Sequence, residues 1–252
     1  MKSNECVIVA KKELVKNVFE LTLKTDLKEI NYSAGQFVHI QVPLKNHILK
    51  RPITIAKWNK EENTFTVVIR AIGEGTQAIT NLSVNQNLNV LMTLGHGFKL
   101  DELKADTHLA LIGGGLGIPA LLEAAKAAYL KGLNVTSVLG FGSKSQIFYE
   151  EEFKQYGDLI ISTDDGSFGI KGHVGQALDS VSSHFDHVYA CGPLALSKMV
   201  QKRYPESYLS LEERMACGIG ACAGCVVFSA DLKDNFRVCK DGPVFKAREV
   251  SL

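Results

Sequence analysis

What the chain has little of narrows the field first. Lys and Arg number 28 against 27 Asp and Glu, a net charge of +1, so no basic field of the kind that binds nucleic acid is present. No apolar run reaches the ~18 residues of a membrane-spanning helix. The opening Met1-Lys-Ser-Asn-Glu-Cys-Val-Ile-Val-Ala lacks the apolar core of a signal peptide. The expectation is a cytoplasmic protein that binds neither membrane nor nucleic acid. Cysteine is scarce, six in all, and four of the six crowd into one stretch. That distribution argues for metal chemistry rather than a disulfide framework. What remains is ordinary for a globular protein, 46% hydrophobic and 22% charged. Its 252 residues give room for one large or two to three small domains.

The crowded stretch is Cys217-Gly-Ile-Gly-Ala-Cys222-Ala-Gly-Cys225, closed by Cys239. Its spacing is C-x4-C-x2-C-x13-C, the order in which plant-type ferredoxins hold a [2Fe-2S] cluster. Four thiolates must surround a two-iron rhomb, two on each iron, so the loop must curl. Gly218, Gly220 and Gly224 permit positive φ and let amides approach the sulfurs. A structural zinc is the competing reading, but zinc ribbons pair two C-x2-C knuckles, and Cys239 has no such neighbour. Disulfides are a third reading, disfavoured in a reducing compartment. Cys6 and Cys191 stand outside the ligand set.

In the first hundred residues β character recurs at Cys6–Ala10, Val18–Thr25, Gln36–Val42, Pro52–Ala56, Thr64–Ala71 and Leu88–Met92. Val18-Phe-Glu-Leu-Thr-Leu-Lys-Thr largely alternates apolar and polar residues, as a half-buried strand does. Turn signals at Ala34-Gly35, Asn59 to Asn63 and Gly73-Glu-Gly75 separate the segments, and strands at this spacing predict a small antiparallel barrel. Two stretches carry chemistry. In Arg51-Pro52-Ile53-Thr54 the guanidinium can take a phosphate through its planar fork. In Val68-Ile69-Arg70 and Gly73-Glu-Gly75-Thr76, glycines lead into a short helix over Gln77–Leu82, a natural phosphate cradle. Either stretch alone also reads as a plain strand entry or turn. The loop Thr93-Leu-Gly-His-Gly-Phe98 closes the region, with His96 read as a solvated loop residue.

After a charged linker at Asp101–Thr107 comes the apolar run His108–Ile112. Gly113-Gly114-Gly115-Leu-Gly117-Ile-Pro119 follows, then a helix from Ala120 to about Lys131. Strand, glycine turn and helix form the dinucleotide-binding arrangement, although the spacing is not G-x-G-x-x-G. Alternation continues: strands at Asn134–Gly140, Leu159–Thr163, His187–Ala190 and Tyr208–Leu211, and helices at Ser145–Tyr156, Val174–Ser183 and Leu194–Arg203. That order predicts a parallel sheet with helices on both faces, and a ligand outside the strands' carboxyl ends. There stand the loops Gly113–Gly117, Gly140–Lys144 and Cys191-Gly192-Pro193. No carboxylate ends the second strand, and Lys144 leaves NAD and NADP both open. After Cys225, Val226-Val-Phe reads as a strand.

The two flavin-side stretches, in this order, resemble the signature of the ferredoxin reductase-like family. That resemblance implies an FAD pyrophosphate on Arg51 and on the Gly75-Thr76 helix start. It puts Thr54 beside the flavin ring and the remaining members, Pro52, Ile53, Val68, Ile69 and Arg70, around the same cofactor. The G-G-G-x-G-x-P turn resembles the family's nicotinamide site, with Gly113, Gly114, Gly115 and Gly117 joined there by Gly192 and Pro193. By the same resemblance Cys191 faces the flavin, and Glu212 lies beside the Cys191–Pro193 loop as a second catalytic candidate. The bland readings are a buried small residue and a solvated carboxylate.

The run Leu211-Glu-Glu-Arg-Met-Ala-Cys217 with the cluster loop, and Arg237-Val-Cys239-Lys-Asp-Gly-Pro-Val-Phe, resemble the electron-transfer subunits of two-component, NAD-linked dihydroorotate dehydrogenases. The resemblance runs over essentially the whole chain. It implies FAD, one [2Fe-2S] cluster, and NAD as the diffusible acceptor. It implies an FMN-bearing catalytic partner in a heterotetramer of two plus two, serving pyrimidine (UMP) synthesis. The expected architecture is a β-barrel flavin domain at 1–100, an α/β parallel-sheet nicotinamide domain at 101–211, and a small C-terminal iron–sulfur module at 212–252. A related NAD(P)H-linked reductase subunit serving ferredoxin, sulfide or hydrogenase partners is the alternative.

Overall fold

The computed structural model describes residues 3–181 and 184–252. Six strands, β1 (Ser3–Val15), β2 (Val18–Lys24), β3 (Phe37–Ile40), β4 (Arg51–Asn59), β5 (Thr64–Arg70) and β6 (Asn87–Leu94), close an antiparallel barrel in the order β1-β2-β5-β4-β3-β6. Alternation decides which side each residue takes. In β5, Phe65, Val67 and Ile69 fill the barrel with Leu21, Leu23, Val38, Ile40 and Ile55. Val68 instead belongs to the core outside it. Each such fully buried Leu, Ile or Phe contributes about 1.5–3 kcal/mol of burial free energy. The helix α1 (Glu74–Thr80) follows β5, beginning three residues earlier than the sequence suggests. The Thr76 hydroxyl accepts from the Gly73 N–H at 3.1 Å and so draws the glycine turn into the helix start.

Beyond the barrel run β7 (His108–Gly114), α2 (Ile118–Leu130), β8 (Asn134–Phe141), α3 (Glu150–Lys154), β9 (Asp158–Thr163), β10 (Ile170–Lys171), α4 (Val174–Asp179), β11 (His187–Cys191), α5 (Leu194–Arg203) and β12 (Tyr208–Ser210). Strands β10-β9-β8-β7-β11-β12 pair in parallel. In β7 the side chains divide by period two: Leu109 and Leu111 share a core with α2, Ala110 and Ile112 one with α4 and α5. Helices therefore cover both faces, as alternation predicts. Glycine at 117 ends the turn before α2, and Pro119 stands in its first turn, where a missing N–H costs nothing.

Three expectations are corrected. The helix expected over Ser145–Tyr156 is a single 3-10 turn at Lys144–Gln146 and then the short α3. Between them Tyr149 takes a left-handed φ of 65°. It is held there because its hydroxyl hydrogen-bonds Glu20 of the barrel, while the Lys57 ammonium lies 4.6 Å over its ring. The helix from Val174 stops at Asp179, and the predicted end at Ser183 lies outside the described residues. The sheet is also not wholly parallel. From the C-terminal segment come β13 (Val226–Ser229), β14 (Asn235–Arg237), β15 (Val244–Lys246) and β16 (Val250–Ser251). Strand β15 adds antiparallel to β12 at the sheet edge, while β14-β13-β16 form a small sheet of their own. Among the described residues no helix is long and apolar enough to cross a membrane.

Candidate functional site

Two clefts open between the barrel and the sheet, and the C-terminal segment that carries the cysteine loop walls the first of them. The first cleft, of ≈ 230 Å³, is walled by Pro52, Ile53, Thr54 and Val68 from the barrel, Leu116 and Pro119 from the glycine turn and α2, and Glu212, Met215 and Pro243 from the C-terminal segment. Its apolar walls suit a flat ring. Behind it the Arg51 guanidinium lies against Gly75, so close that a Cβ there would stand 2.5 Å from Nη2. The Arg51 Nη1 donates to the Leu49 carbonyl at 2.7 Å, which aims the fork along the start of α1. A side chain at 75 would displace the Arg51 head group, and the cationic fork beside the start of α1 suits a pyrophosphate. The Thr76 hydroxyl is spent on capping, so its share in such a cradle is through the turn it shapes. Ile69 turns its side chain into the barrel core, leaving only its backbone toward a ligand.

The second cleft, of ≈ 610 Å³, opens at the carboxyl ends of β7, β8, β9 and β11. Gly114, Gly115, Gly140, Gly142, Pro193 and Asp164 line it, and so does Arg70, which alternation in β5 turns outward. The structure thus sets Arg70 in this cleft rather than in the first. The glycine turn and the Cys191–Pro193 loop are pressed together: a Cβ on Gly117 would collide with the Cys191 carbonyl, and one on Gly192 would stand 3.1 Å from the Gly114 nitrogen. Lys144 stands 5.7 Å over the Phe168 ring, whereas the Asp164 carboxylate belongs to the wall.

Cys191 ends β11 with its carbonyl against Gly117, is 2% exposed, and is not among the residues lining either cleft. Burial pushes its thiol up to about 12, with Glu212 adding to the rise, so it stays protonated and lends bulk and a weak S–H rather than a thiolate. The Glu212 carboxyl opens into the first cleft, but the protein packed around it still raises it above the ordinary carboxylate value.

The four cysteines come together as two pairs. Cys217 and Cys222 bring their Sγ atoms to 3.4 Å. Cys239 turns its N–H to the Cys225 Sγ at 3.4 Å. Backbone donors crowd the sulfurs: Gly220 N–H reaches Cys239 Sγ at 3.1 Å, and Ile219 and Cys222 both reach Cys217 Sγ. For Cys217 partial burial works upward, but the N–H groups of Ile219 and Cys222 prevail and bring the thiol down to about 6. Burial and the neighbouring Cys225 push Cys239 up to about 12. Gly218 and Gly220 turn the loop at φ of 71° and 76°. Arg237 ties it down through the Gly220 carbonyl at 2.9 Å and through Asp241. Among the described residues no three or more His, Cys, Asp or Glu surround a single-ion position. Two thiol pairs ringed by N–H donors fit a two-iron cluster, with one pair for each iron.

One residue escapes sequence reasoning. His39, fully buried on β3, lies against Gly218 of the cluster loop. Burial holds its imidazole below the ordinary histidine value, so it is neutral. In Phe37-Val-His-Ile it reads as core, and no pattern in the chain distinguishes it.

Comparison with known proteins agrees with this geometry. Residues 5–98 match the oxidoreductase FAD-binding domain model. Residues 212–251 match the iron-sulfur cluster binding domain of dihydroorotate dehydrogenase B. The chain is 42% identical, over the full length of both, to the dihydroorotate dehydrogenase B (NAD(+)) electron transfer subunit of Bacillus mycoides. It is 41% identical to that of Streptococcus mutans, with 97% of this chain and 96% of the other covered. Among solved structures, a chain of the NADH-dependent reduced ferredoxin-NADP oxidoreductase superposes with a TM-score of 0.88 at 30% identity, over 98% of this chain and 89% of that one. With a flavin-type barrel, a cysteine loop of two thiol pairs and relatives of this closeness along its whole length, the chain belongs to the family of electron transfer subunits of NAD(+)-dependent dihydroorotate dehydrogenase B.

Proposed function

We propose that this chain carries electrons from an FMN-bearing dihydroorotate dehydrogenase subunit, through a [2Fe-2S] cluster and FAD, to NAD+ in pyrimidine synthesis. The observation that carries the reading is the first cleft: all three segments of the chain wall it. A flavin held there would lie against the C-terminal segment that leads into the cysteine loop, through Glu212, Glu213 and Met215, and against Leu116 and Pro119 of the glycine turn and α2. Bound FAD would exchange a hydride with nicotinamide and single electrons with the cluster. The residues proposed to hold it are Arg51 and Gly75 at the pyrophosphate, Pro52, Ile53, Thr54 and Val68 at the ring, and Ile69 and Thr76 through backbone and turn. The glycines at 113, 114, 115 and 117, with Gly192 and Pro193, would seat the nicotinamide nucleotide. Cys191 would back the glycine turn at Gly117. Glu212 would hold a proton at the rim. Cys217, Cys222, Cys225 and Cys239 would ligate the cluster.

The corresponding division is 1–100 for flavin, 101–211 for nicotinamide and 212–252 for the cluster. The partner is expected in a two-plus-two assembly, in the cytoplasm, where reducing conditions keep thiols available for iron. Glu212 and Glu213 are the acid–base side chains that line the first cleft, and both stand in the wall proposed for the flavin, so the carbon chemistry is assigned to the partner. The purified chain should therefore oxidise NADH with artificial acceptors and leave dihydroorotate untouched. Adding the FMN subunit should give NAD+-linked oxidation. Dihydroorotate oxidation by the chain alone, or a reconstituted pair unable to use NAD+, would overturn the assignment.

A further inference from the structure

His39 is buried completely, and neither of its ring nitrogens has a hydrogen-bond partner. A buried polar group left unpaired costs about 1–3 kcal/mol, so a side chain kept in that state is held for some other purpose. Its surroundings say what that is. On β3, His39 sits opposite Pro52 of β4, and its neighbour Ile40 sits opposite Arg51. Both partners belong to the stretch proposed above to hold FAD. On its other side the ring presses on the cluster loop, where a Cβ on Gly218 would collide with Nδ1. Main-chain groups of Lys50 and Cys217 stand close enough to act on the ring, yet neither meets full hydrogen-bond geometry. One imidazole therefore spans the gap between the strand under the flavin and the turn that carries the first cluster ligand. Gly218, at φ 71°, leaves room for the ring and for no side chain of its own.

We propose that His39 is a positioning residue for electron transfer, its ring N–H closing onto the main chain of Cys217 when the cluster is bound and so fixing that thiolate relative to the flavin-binding strand. A leucine of similar volume would fill the space but offer no donor, whereas Gln supplies an N–H. The inference rests on the reading of the cysteine loop as a [2Fe-2S] site, and the experiment separates the two. The complex with its FMN subunit is prepared with 15N-labelled histidine and reduced, and nitrogen couplings to the cluster are read by pulsed EPR. A histidine 15N coupling is expected in wild type and its loss is expected in H39Q, which assigns it to position 39 among the seven labelled histidines of this chain. A reduced-cluster signal without one overturns the role of His39 alone, and the absence of any iron–sulfur signal overturns the cluster reading with it.

In variants, NADH should reduce FAD at the wild-type rate in both H39L and H39Q. Electron passage from flavin to cluster should slow by roughly 10-fold in H39L, as loss of an outer-shell partner typically does, and recover most of its rate in H39Q. Iron lost from H39L but kept in H39Q supports the same conclusion, because the donor rather than the volume then matters. Equal flavin-to-cluster rates and unchanged EPR g-values in wild type and H39L would reduce His39 to packing. If neither variant keeps its cluster, the labelled wild-type spectrum decides.

Discussion

Strands β1 to β6 close around a core of their own, running from Cys6 to Met92. The segment 212–252 has nothing comparable. Its buried Cys225, Val227, Val238, Cys239, Phe245 and Val250 belong to the core that β7, α4 and α5 share. Its regular structure amounts to four strands of two to four residues and one 3-10 turn at Ala247–Glu249. Both regions carry a proposed redox centre, yet by different means. The barrel is stable through apolar burial, and the residues proposed for flavin are additions to the rim of a finished fold. The cysteine loop is held by turns, by Arg237 and by whatever its thiolates bind. A site of the second kind contributes its binding free energy to local folding, whereas one of the first kind only gains occupancy.

The sharpest break in that contrast is Cys239→Ser. It should remove the cluster and abolish NAD+-linked dihydroorotate oxidation in the assembled enzyme, while FAD content and NADH–dye activity stay near wild type. Iron and labile-sulfide assays beside the flavin absorbance measure both sides. Simultaneous loss of FAD would mean that the two regions are one cooperative unit.

Next in size is Arg51→Ala, the converse cut. Removing a charge-assisted phosphate contact costs about 1.5–3 kcal/mol, roughly 10- to 150-fold in FAD affinity. The barrel itself should melt as before once flavin is absent from both proteins. Unchanged FAD retention on a desalting column would remove Arg51 from the site. Gly218→Ala is smaller: a non-glycine residue in a left-handed turn costs about 1–3 kcal/mol, here with a collision against His39 added. Cluster content should fall with FAD unaffected, and a fully loaded G218A would show that the loop accommodates a side chain.

The same contrast decides how much was legible in the sequence. The barrel was readable because period-two alternation is a local consequence of one buried face, and every strand named from it is present. The four cysteines were readable as a group because their spacing is a property of the chain itself, and the structure brings them together. What could not be read depends on distant partners. Tyr149 breaks the expected helix because Glu20 and Lys57, far away in sequence, engage its hydroxyl and ring. Strand β15 is three residues long and becomes a strand only because β12 offers an edge. Arg70 faces the second cleft because β5 ends there. His39 carries no signature, since its meaning comes entirely from Gly218 across the interface.

The smallest expected effect falls on the seam between the two regions, at Glu212. The residue is exposed by surface area, yet the protein atoms around its carboxyl still raise it above the ordinary value of 4.5. The sign follows from proton counting. Just above pH 4.5 the unfolded chain has released this proton while the folded chain still holds it. The folded state then binds more protons, so its stability falls as pH rises, until the raised value is passed and the curve flattens. Below 4.5 both states are protonated and the group contributes no slope. Glu212→Gln removes the titration. The variant should track wild type at the acid end and become relatively more stable toward neutral pH. Flavin filling the cleft would deepen the desolvation and widen that gap. Melting curves of both proteins across this window, with and without FAD, measure it. Parallel curves throughout would show that solvent in the cleft screens the carboxylate, and that Glu212 belongs to the exposed rim of the C-terminal segment rather than to the flavin site.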